Sequence, residues 1–196
     1  MSGKPRFDEA AVINAAVGEF WRRGYAATSI SELTEATGLS RSSLYQRFGD
    51  KDGLFREALQ TYAERVLHRM HSAKADRPRV RLEALLRAFL PDPSSPRPAG
   101  CLIGRSCVEI AELTAAWQAI VLASIDRQRD IFLSVLHEGV AKGELAQDAD
   151  IEALAWYYLG VLQAILTFPQ VGAETDALSR MIDVAMSAWP DPNLNS

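Results

Sequence analysis

Hydrophobic residues recur along most of this chain at the spacing that gives an α-helix one apolar face. The first such stripe comprises Ile13, Ala16, Val17, Phe20 and Trp21. Comparable stripes follow in nearly every later segment, and no segment alternates apolar and polar residues as a half-buried strand does. The pattern predicts an all-α fold of about nine helices.

Specific residues mark where the first helix ends and where a short second helix begins and ends. Gly24 stops the first helix, and Gly38 permits the tight turn that follows the second. Between them, Ser29 and Glu32 have the spacing of a capping box, in which each side chain accepts a hydrogen bond from the other residue's backbone N–H.

Ser40 is the predicted N-cap of a third short helix, with Leu44 and Phe48 turned inward at i, i+4 spacing. A long fourth helix is predicted from about Lys51. Two short helices joined by a glycine turn and packed by a preceding helix have helix-turn-helix proportions.

The second part of the chain is also helical, after one clear interruption. Residues 91–100 read PDPSSPRPAG, whose four prolines exclude a continuous helix. Beyond this segment, periodicity predicts a long helix around residues 117–140, an apolar helix at 150–168 and a last helix at about 175–189.

Charge and composition favour a cytoplasmic protein. The chain has 196 residues and a formal net charge of −4, which argues against nucleic-acid binding over its whole surface but not against a local basic face. The longest apolar run, Ala153 to Phe168, is shorter than the roughly 20 residues of a membrane span, so a buried or interface helix is predicted and no membrane. Cys101 and Cys107 are the only cysteines, which suits a reducing compartment.

The outer face of the third helix has residue types that bind DNA. With Leu44 inward, the helix presents the polar side chains of Arg41, Ser42, Ser43 and Gln46 near its N-terminus. Arginine pairs with guanine, glutamine with adenine, and serine with either phosphate or base edges. Helix N-termini attract phosphate, and the Lys51 ammonium could add a further phosphate contact.

The stretch from Phe20 to Leu59, FWRRGYAATSISELTEATGLSRSSLYQRFGDKDGLFREAL, resembles the DNA-binding region of TetR-family transcriptional regulators. The matching parts are the G-Y-x-x-T-S-I entry, the G-L-S turn, L-Y-x-x-F, and D-K-x-x-L-F at the start of the next helix. A structural helical hairpin with a solvated charged face is the alternative, and the combined motif favours DNA binding. The resemblance implies a helix-turn-helix domain at 1–50 and a helical effector-binding and dimerisation domain at 51–196.

The resemblance also assigns roles to individual positions. Two departures from the family pattern, Gln46 where an aromatic is frequent and Arg47 where many members have histidine, leave the operator sequence undetermined. The residues expected toward bases are Arg41, Ser42, Ser43 and Gln46, and those expected on phosphates are Thr28, Ser40, Tyr45 and Lys51.

For the rest of the chain, the resemblance implies a ligand-responsive homodimer bound to a double-stranded DNA operator. Dimerisation is expected through the helices at about 150–168 and 175–189. The candidate faces are Leu154, Tyr158, Val161, Leu162 and Ile165 on one helix, and Leu178, Ile182, Met186 and Trp189 on the other. Periodicity alone does not distinguish such an interface from intrachain core.

The resemblance further implies a cavity for a small apolar or electrophilic effector. Pockets favour aromatic side chains together with a few polar groups. Each candidate is also explained as ordinary core, which we favour for any single residue. The candidates are Phe89, Trp117, Phe132, Trp156 and Tyr157.

Cys101 is a candidate sensor of oxidants or electrophiles. It follows the proline-rich segment at a predicted helix start, where Arg105 one turn later could lower the thiol pKa. The Gly100–Cys101–Leu102 element also resembles a TetR subgroup with members that respond to such compounds. The alternative, a small buried residue at a helix start, is favoured.

No catalytic, cofactor or metal motif is found. His137-Glu138 lacks the second histidine of a zinc-protease motif, because Ala141 occupies that position. We therefore expect no enzyme activity, no cofactor and no metal. Two hypotheses remain: a dimeric ligand-responsive repressor, and a helical small-molecule-binding or interaction protein without DNA binding.

Overall fold

The computed structural model describes residues 7–92, 94 and 100–190, except for the side chain of Glu112. Across these residues every regular element is helical, which confirms the predicted all-α fold. Short 3-10 segments occupy Ile110–Glu112 and Phe168–Val171. The α-helices are α1 (Glu9–Arg23), α2 (Ile30–Thr37), α3 (Arg41–Phe48), α4 (Lys51–Ser72), α5 (Pro78–Arg87), α6 (Leu102–Val108), α7 (Ala115–Ala141), α8 (Ile151–Thr167) and α9 (Thr175–Ser187).

The described residues form two compact units that each contain two stretches of chain. The first unit comprises residues 7–65 and Leu102–Val121. The second comprises the described residues of 66–101 and 122–190. The predicted boundary at residue 50 coincides with the start of α4, but the first unit continues to Arg65 and takes in α6.

An aromatic cluster forms part of the core of the first unit. Phe20 of α1 and Phe55 of α4 meet edge to face with ring centroids 4.9 Å apart, and both are buried. Trp117, at the start of α7, packs against Phe55 at 5.1 Å and against Tyr25 at 4.5 Å. Aromatic pairs at these separations are favourable beyond the area that they bury.

The helix ends of the first unit follow the sequence signals. The capping box of α2 is confirmed: the Glu32 N–H donates to Ser29 Oγ at 3.2 Å, and the Ser29 N–H donates to Glu32 Oε2 at 2.8 Å. Gly38 has the left-handed φ of 69° that the turn after α2 requires.

In the second unit, α8 packs one face into a buried core. Tyr158 is fully buried and stacks on Phe132 of α7 with a centroid separation of 6.4 Å. Burial raises the pKa of the Tyr158 hydroxyl well above its ordinary value. Arg87 ties α5 to α9, because its guanidinium donates to Ser179 Oγ at 2.8 Å and forms an ion pair with Asp183.

The predicted break at 91–100 lies mostly outside the described residues, since only 91, 92, 94 and 100 are described. Gly100, at its end, donates its N–H to the Leu166 carbonyl at 2.8 Å.

The apolar segment that contains α8 is longer than the sequence pattern predicted. With its 3-10 extension it covers Ile151–Val171, which by length and composition alone could cross a membrane. Core helices of soluble proteins pass the same test. One face of α8 is buried within its own unit, including Ala155, Leu159 and Leu162, so the segment already serves as a packing helix.

Candidate nucleic-acid interface

The recognition face predicted on α3 is exposed in the structure. Leu44 and Phe48 are buried, as their spacing predicted, and they fix which side of α3 faces outward. The opposite side carries Arg41, Ser42 and Gln46, which are exposed, while Ser43 is half-buried and Tyr45 is exposed.

Three hydroxyl groups gather at the N-terminus of α3. Ser40 Oγ accepts a hydrogen bond from the Ser43 N–H at 3.1 Å, which confirms the predicted cap. The same oxygen lies 2.9 Å from the Ser42 hydroxyl and 2.9 Å from the Ser43 hydroxyl. The positive end of the helix dipole and these polar groups therefore occupy one exposed surface.

Arg41 extends from α3 toward the first turn of α2. Its Nη2 donates to the Ser31 hydroxyl at 3.3 Å. Both residues are exposed, so the guanidinium is oriented by a long hydrogen bond without being removed from solvent. It can therefore exchange this partner for a base edge or a phosphate.

Arg47 is basic, but its side chain forms ion pairs that hold α3 against the neighbouring helices. Its guanidinium pairs with Glu9 of α1 and donates to Glu57 of α4 at 3.1 Å. These carboxylates raise the pKa of Arg47. Sequence reasoning missed this clamp, since Glu9 is 38 residues away and no local pattern connects it to α3.

Lys51 lies at the start of α4 against the ring of Tyr25, with Nζ 4.1 Å from the ring centroid. Burial lowers the pKa of this ammonium, against the opposing effect of Asp52 and Glu32. The Tyr25 hydroxyl donates to the Asp52 carboxylate. Tyr25 is the tyrosine of the G-Y-x-x-T-S-I motif, and in the structure its ring orients Lys51.

Thr28 is placed differently from the other predicted contact residues. Its side chain is buried, and Oγ1 donates to the Gly24 carbonyl at 2.6 Å. The hydroxyl thus closes the connection between α1 and α2, and the structure does not bring it to the exposed face with Arg41 and Ser42.

Comparison with known proteins agrees with this geometry. Residues 12–58 match the model described as bacterial regulatory proteins, tetR family. Residues 78–185 match the tetracyclin repressor-like C-terminal domain, which covers more than half of the chain. The chain belongs to the TetR family of transcriptional regulators. Members of this family are normally regulators rather than enzymes.

Relatives of known name cover almost the whole chain. The HTH-type transcriptional regulator YezE of Bacillus subtilis is 31% identical over 95% of this chain and 98% of its own. The HTH-type transcriptional repressor ComR of Escherichia coli is 27% identical over 96% and 92%, respectively.

A solved structure with the same fold contains DNA. It is a cysteine-substituted variant of the TetR-family regulator CifR with a 26-base-pair double-strand operator. The two chains are 30% identical with a TM-score of 0.80, over 96% of this chain and 100% of CifR.

The five aromatic residues predicted to line a TetR effector cavity are divided between the two units. Trp117 belongs to the core of the first unit, and the other four belong to the second. Phe89 and Phe132 are buried, whereas Trp156 and Tyr157 of α8 are about half exposed. Helical periodicity does not specify which unit an aromatic side chain joins.

The second unit instead contains an open cleft of about 260 Å³ between α4, α5 and α7. None of its lining residues is phenylalanine, tyrosine or tryptophan, so the aromatic pattern of the sequence did not indicate it. Its lining residues are Leu67, His71, Arg81, Arg127, Asp130, Ile131 and Ser134.

Cys101 immediately precedes α6, as predicted, but it is buried, with 5% of its surface exposed. The Arg105 guanidinium, predicted to act on this thiol, donates to the carbonyls of Arg22 and Arg23. Cys107 is half-buried, and neither cysteine is in a disulfide. Sensing by Cys101 stays a prediction that requires its exposure.

The predicted dimer faces of α8 and α9 need correction. Tyr158, Leu162 and Ile165, and every residue proposed on α9, are buried within the chain itself. The same helices have a second, exposed apolar side. It was not predicted from the sequence, because the regular apolar spacing of these helices marks the buried face. The exposed side carries Trp156 and Tyr157 on α8 and Val184 on α9, with Phe168 and Val171 exposed on the 3-10 segment that follows α8.

Burial predicts the order in which the two cysteines react. We expect maleimide to modify Cys107 of the native protein before Cys101, because thiolate reactivity requires access to solvent. Mass spectrometry of time points, with Cys101→Ser and Cys107→Ser proteins to assign each modification, measures this order. Equal rates would show that Cys101 is accessible and would restore the sensor hypothesis.

Proposed function

We propose that this protein is a homodimeric TetR-family repressor that binds a palindromic operator and is released by a small-molecule effector. The observation that carries the proposal is the exposed, serine-capped polar face of α3, formed by Arg41, Ser42 and Gln46. The name of ComR as a repressor and the operator complex of CifR support it.

In this proposal, α3 enters the major groove. Arg41, Ser42, Ser43 and Gln46 contact base edges there, where donor and acceptor patterns distinguish all four base pairs. On either side, phosphates are bound near the N-termini of the short helices. Ser40, Tyr45 and Lys51 are the proposed phosphate contacts, whereas the buried Thr28 hydroxyl acts indirectly, by holding the connection between α1 and α2.

The operator can be identified without knowledge of the effector. Selection of duplexes from a random library by the wild-type protein would give its preferred sequence and show whether the site has two-fold symmetry. Failure to enrich any duplex would favour a helical ligand-binding protein that does not bind DNA. Matching the selected sequence to the source genome would indicate which genes are regulated.

Substitution Arg41→Ala tests base recognition. We expect it to cost about 1–3 kcal/mol of binding free energy on the selected duplex and to relax preference at one position of each half-site. Fluorescence anisotropy against single-base variants of the duplex measures both effects. Arg77→Ala, an exposed arginine of the second unit, controls for the loss of one positive charge. An unchanged sequence preference would remove Arg41 from the base contacts.

Substitution Lys51→Met tests the phosphate contact. Because phosphate binding releases counterions, we expect weaker binding to specific and nonspecific duplexes alike, and a salt slope lower by about 1. Titrations at several salt concentrations measure the slope, again with Arg77→Ala as the control. A slope equal to that of the wild type would contradict a Lys51–phosphate contact.

Dimerisation follows from the size of the recognition element. α3 has eight residues and reads few base pairs, so specificity requires two copies about 34–36 Å apart or a multiple of that distance. The exposed apolar sides of α8 and α9 are the proposed interface, since large exposed apolar surfaces commonly mark interaction sites. Gly160 on this side has open space around it, which allows a close approach of another helix.

Substitution Val184→Glu tests this interface. Val184 is 68% exposed on α9, so the change leaves the chain's own core intact but places a charge in the proposed interface. We expect a monomeric mass by light scattering at micromolar concentration and loss of operator binding. Val80→Glu, at another exposed valine of the second unit, provides the control. A dimer that survives Val184→Glu would place the interface elsewhere.

We assign the effector to the second unit, which contains most of the region matched by the C-terminal domain model. Buried polar groups on the core side of α7 support this assignment. Gln128 is fully buried, and its Nε2 donates to the Ser124 carbonyl at 3.1 Å, while its Oε1 accepts no hydrogen bond. An apolar effector with one hydrogen-bond donor would satisfy that oxygen. The coupling between effector and DNA is expected to be about 1–3 kcal/mol.

A further inference from the structure

Arg105 of α6 lies at the C-terminal end of α1, outside the helix-turn-helix sequence. Its Nη2 donates to the Arg23 carbonyl at 2.8 Å, and its Nη1 donates to the Arg22 carbonyl at 3.4 Å. The last carbonyls of a helix have no partner within that helix, and they carry the negative end of its dipole. A guanidinium in this position therefore satisfies carbonyl groups and opposes the dipole.

Gly24 provides the space that the guanidinium occupies. A Cβ atom on Gly24 would lie 2.5 Å from Arg105 Nε and 2.8 Å from an oxygen of Glu109. The backbone at Gly24, with φ 82° and ψ 172°, is also in a region essentially restricted to glycine. The glycine that ends α1 thus has a second role, since any side chain there would displace Arg105.

The end of α1 is joined to the start of α2 by two further contacts. The buried hydroxyl of Thr28 donates to the Gly24 carbonyl at 2.6 Å. The Arg23 guanidinium lies 2.8 Å from Glu32, the residue that completes the capping box of α2. These contacts therefore link the end of α1 to the start of α2.

We propose that Arg105 is a positioning residue for operator binding: by holding the terminal carbonyls of α1, it sets the α1–α2 connection and, through it, the exposed face of α3. The inference rests on the proposed function, because it concerns the affinity for an operator. Arg105 is distant in sequence from the helix-turn-helix, yet it belongs to the same compact unit.

Two other roles for Arg105 make different predictions. If it were a direct phosphate ligand, its removal would lower the salt slope of binding. If it only stabilised α1, any substitution that weakens the packing of α1 would reduce binding equally. A positioning residue lowers affinity for the selected operator without altering the number of ions released.

The experiment compares the wild-type protein with Arg105→Gln and Arg105→Lys on the duplex selected by the wild type. We expect Arg105→Gln to weaken operator binding by about 2- to 30-fold, the range for substitutions that act through an intervening structure. Arg105→Lys keeps the positive charge but has one donor nitrogen in place of the guanidinium fork. We therefore expect its operator affinity to lie between those of the wild type and Arg105→Gln. The salt slope should equal that of the wild type in both variants.

Arg65→Gln is the matched control. Arg65 of α4 also donates to α1, at the side chain of Asn14, but far from the α1 terminus. We expect it to leave operator affinity within about 2-fold of the wild type, since the connection to α2 is untouched. Hydrogen exchange adds a direct readout: Arg105→Gln should accelerate exchange of the Thr28 and Glu32 amides, and Arg65→Gln should not.

Several results would overturn the proposal. These are an Arg105→Gln affinity within 2-fold of the wild type, a reduced salt slope, or an equal loss in Arg65→Gln. If Arg105→Gln does not fold, the comparison of the wild type with Arg105→Lys still tests the proposal. Equal operator affinities of these two proteins would refute a positioning role for Arg105. Absence of any duplex bound by the wild type would instead count against the proposed function itself.

Discussion

The DNA-binding surface depends on how a very short helix is held. α3 has eight residues, and isolated helices of this length are unstable in water. Its stability therefore comes from the buried Leu44 and Phe48, from the Ser40 cap, and from Arg47, whose guanidinium bridges Glu9 and Glu57. Because all of these contacts use the inner side and the ends of α3, its outer polar side is left for a duplex.

The same contacts explain how a chain with net charge −4 can bind a polyanion. Cations near the helix-turn-helix have two distinct uses. Arg47 and Arg23 are paired with carboxylates, so they organise the unit and contribute little field outside it. Arg41 and Lys51 are held by a hydroxyl and an aromatic ring, so their charges remain available. Which partner each cation has thus matters more than the net charge.

Local patterns in the sequence were sufficient for the helices, their caps and the orientation of α3. The capping box at Ser29 and the burial of Leu44 depend only on residues within one or two turns, and these predictions are confirmed. Predictions that depended on contacts between distant residues needed correction. Seven of the nine residues predicted for the dimer faces proved to be intrachain core, and Trp117 belongs to the first unit. An apolar stripe records that a face is buried but not what covers it.

The composition of the first unit shows why the predicted domain boundary and the physical unit differ. Trp117 lies beyond α6, and yet its ring packs on Tyr25 and Phe55, which belong to the helix-turn-helix region and to α4. Tyr25 in turn supports the ammonium of Lys51. A side chain from the later part of the sequence therefore supports a proposed DNA contact. Similarly, α6 supplies Arg105 to the end of α1. The DNA-binding surface is consequently a property of two separate stretches of chain.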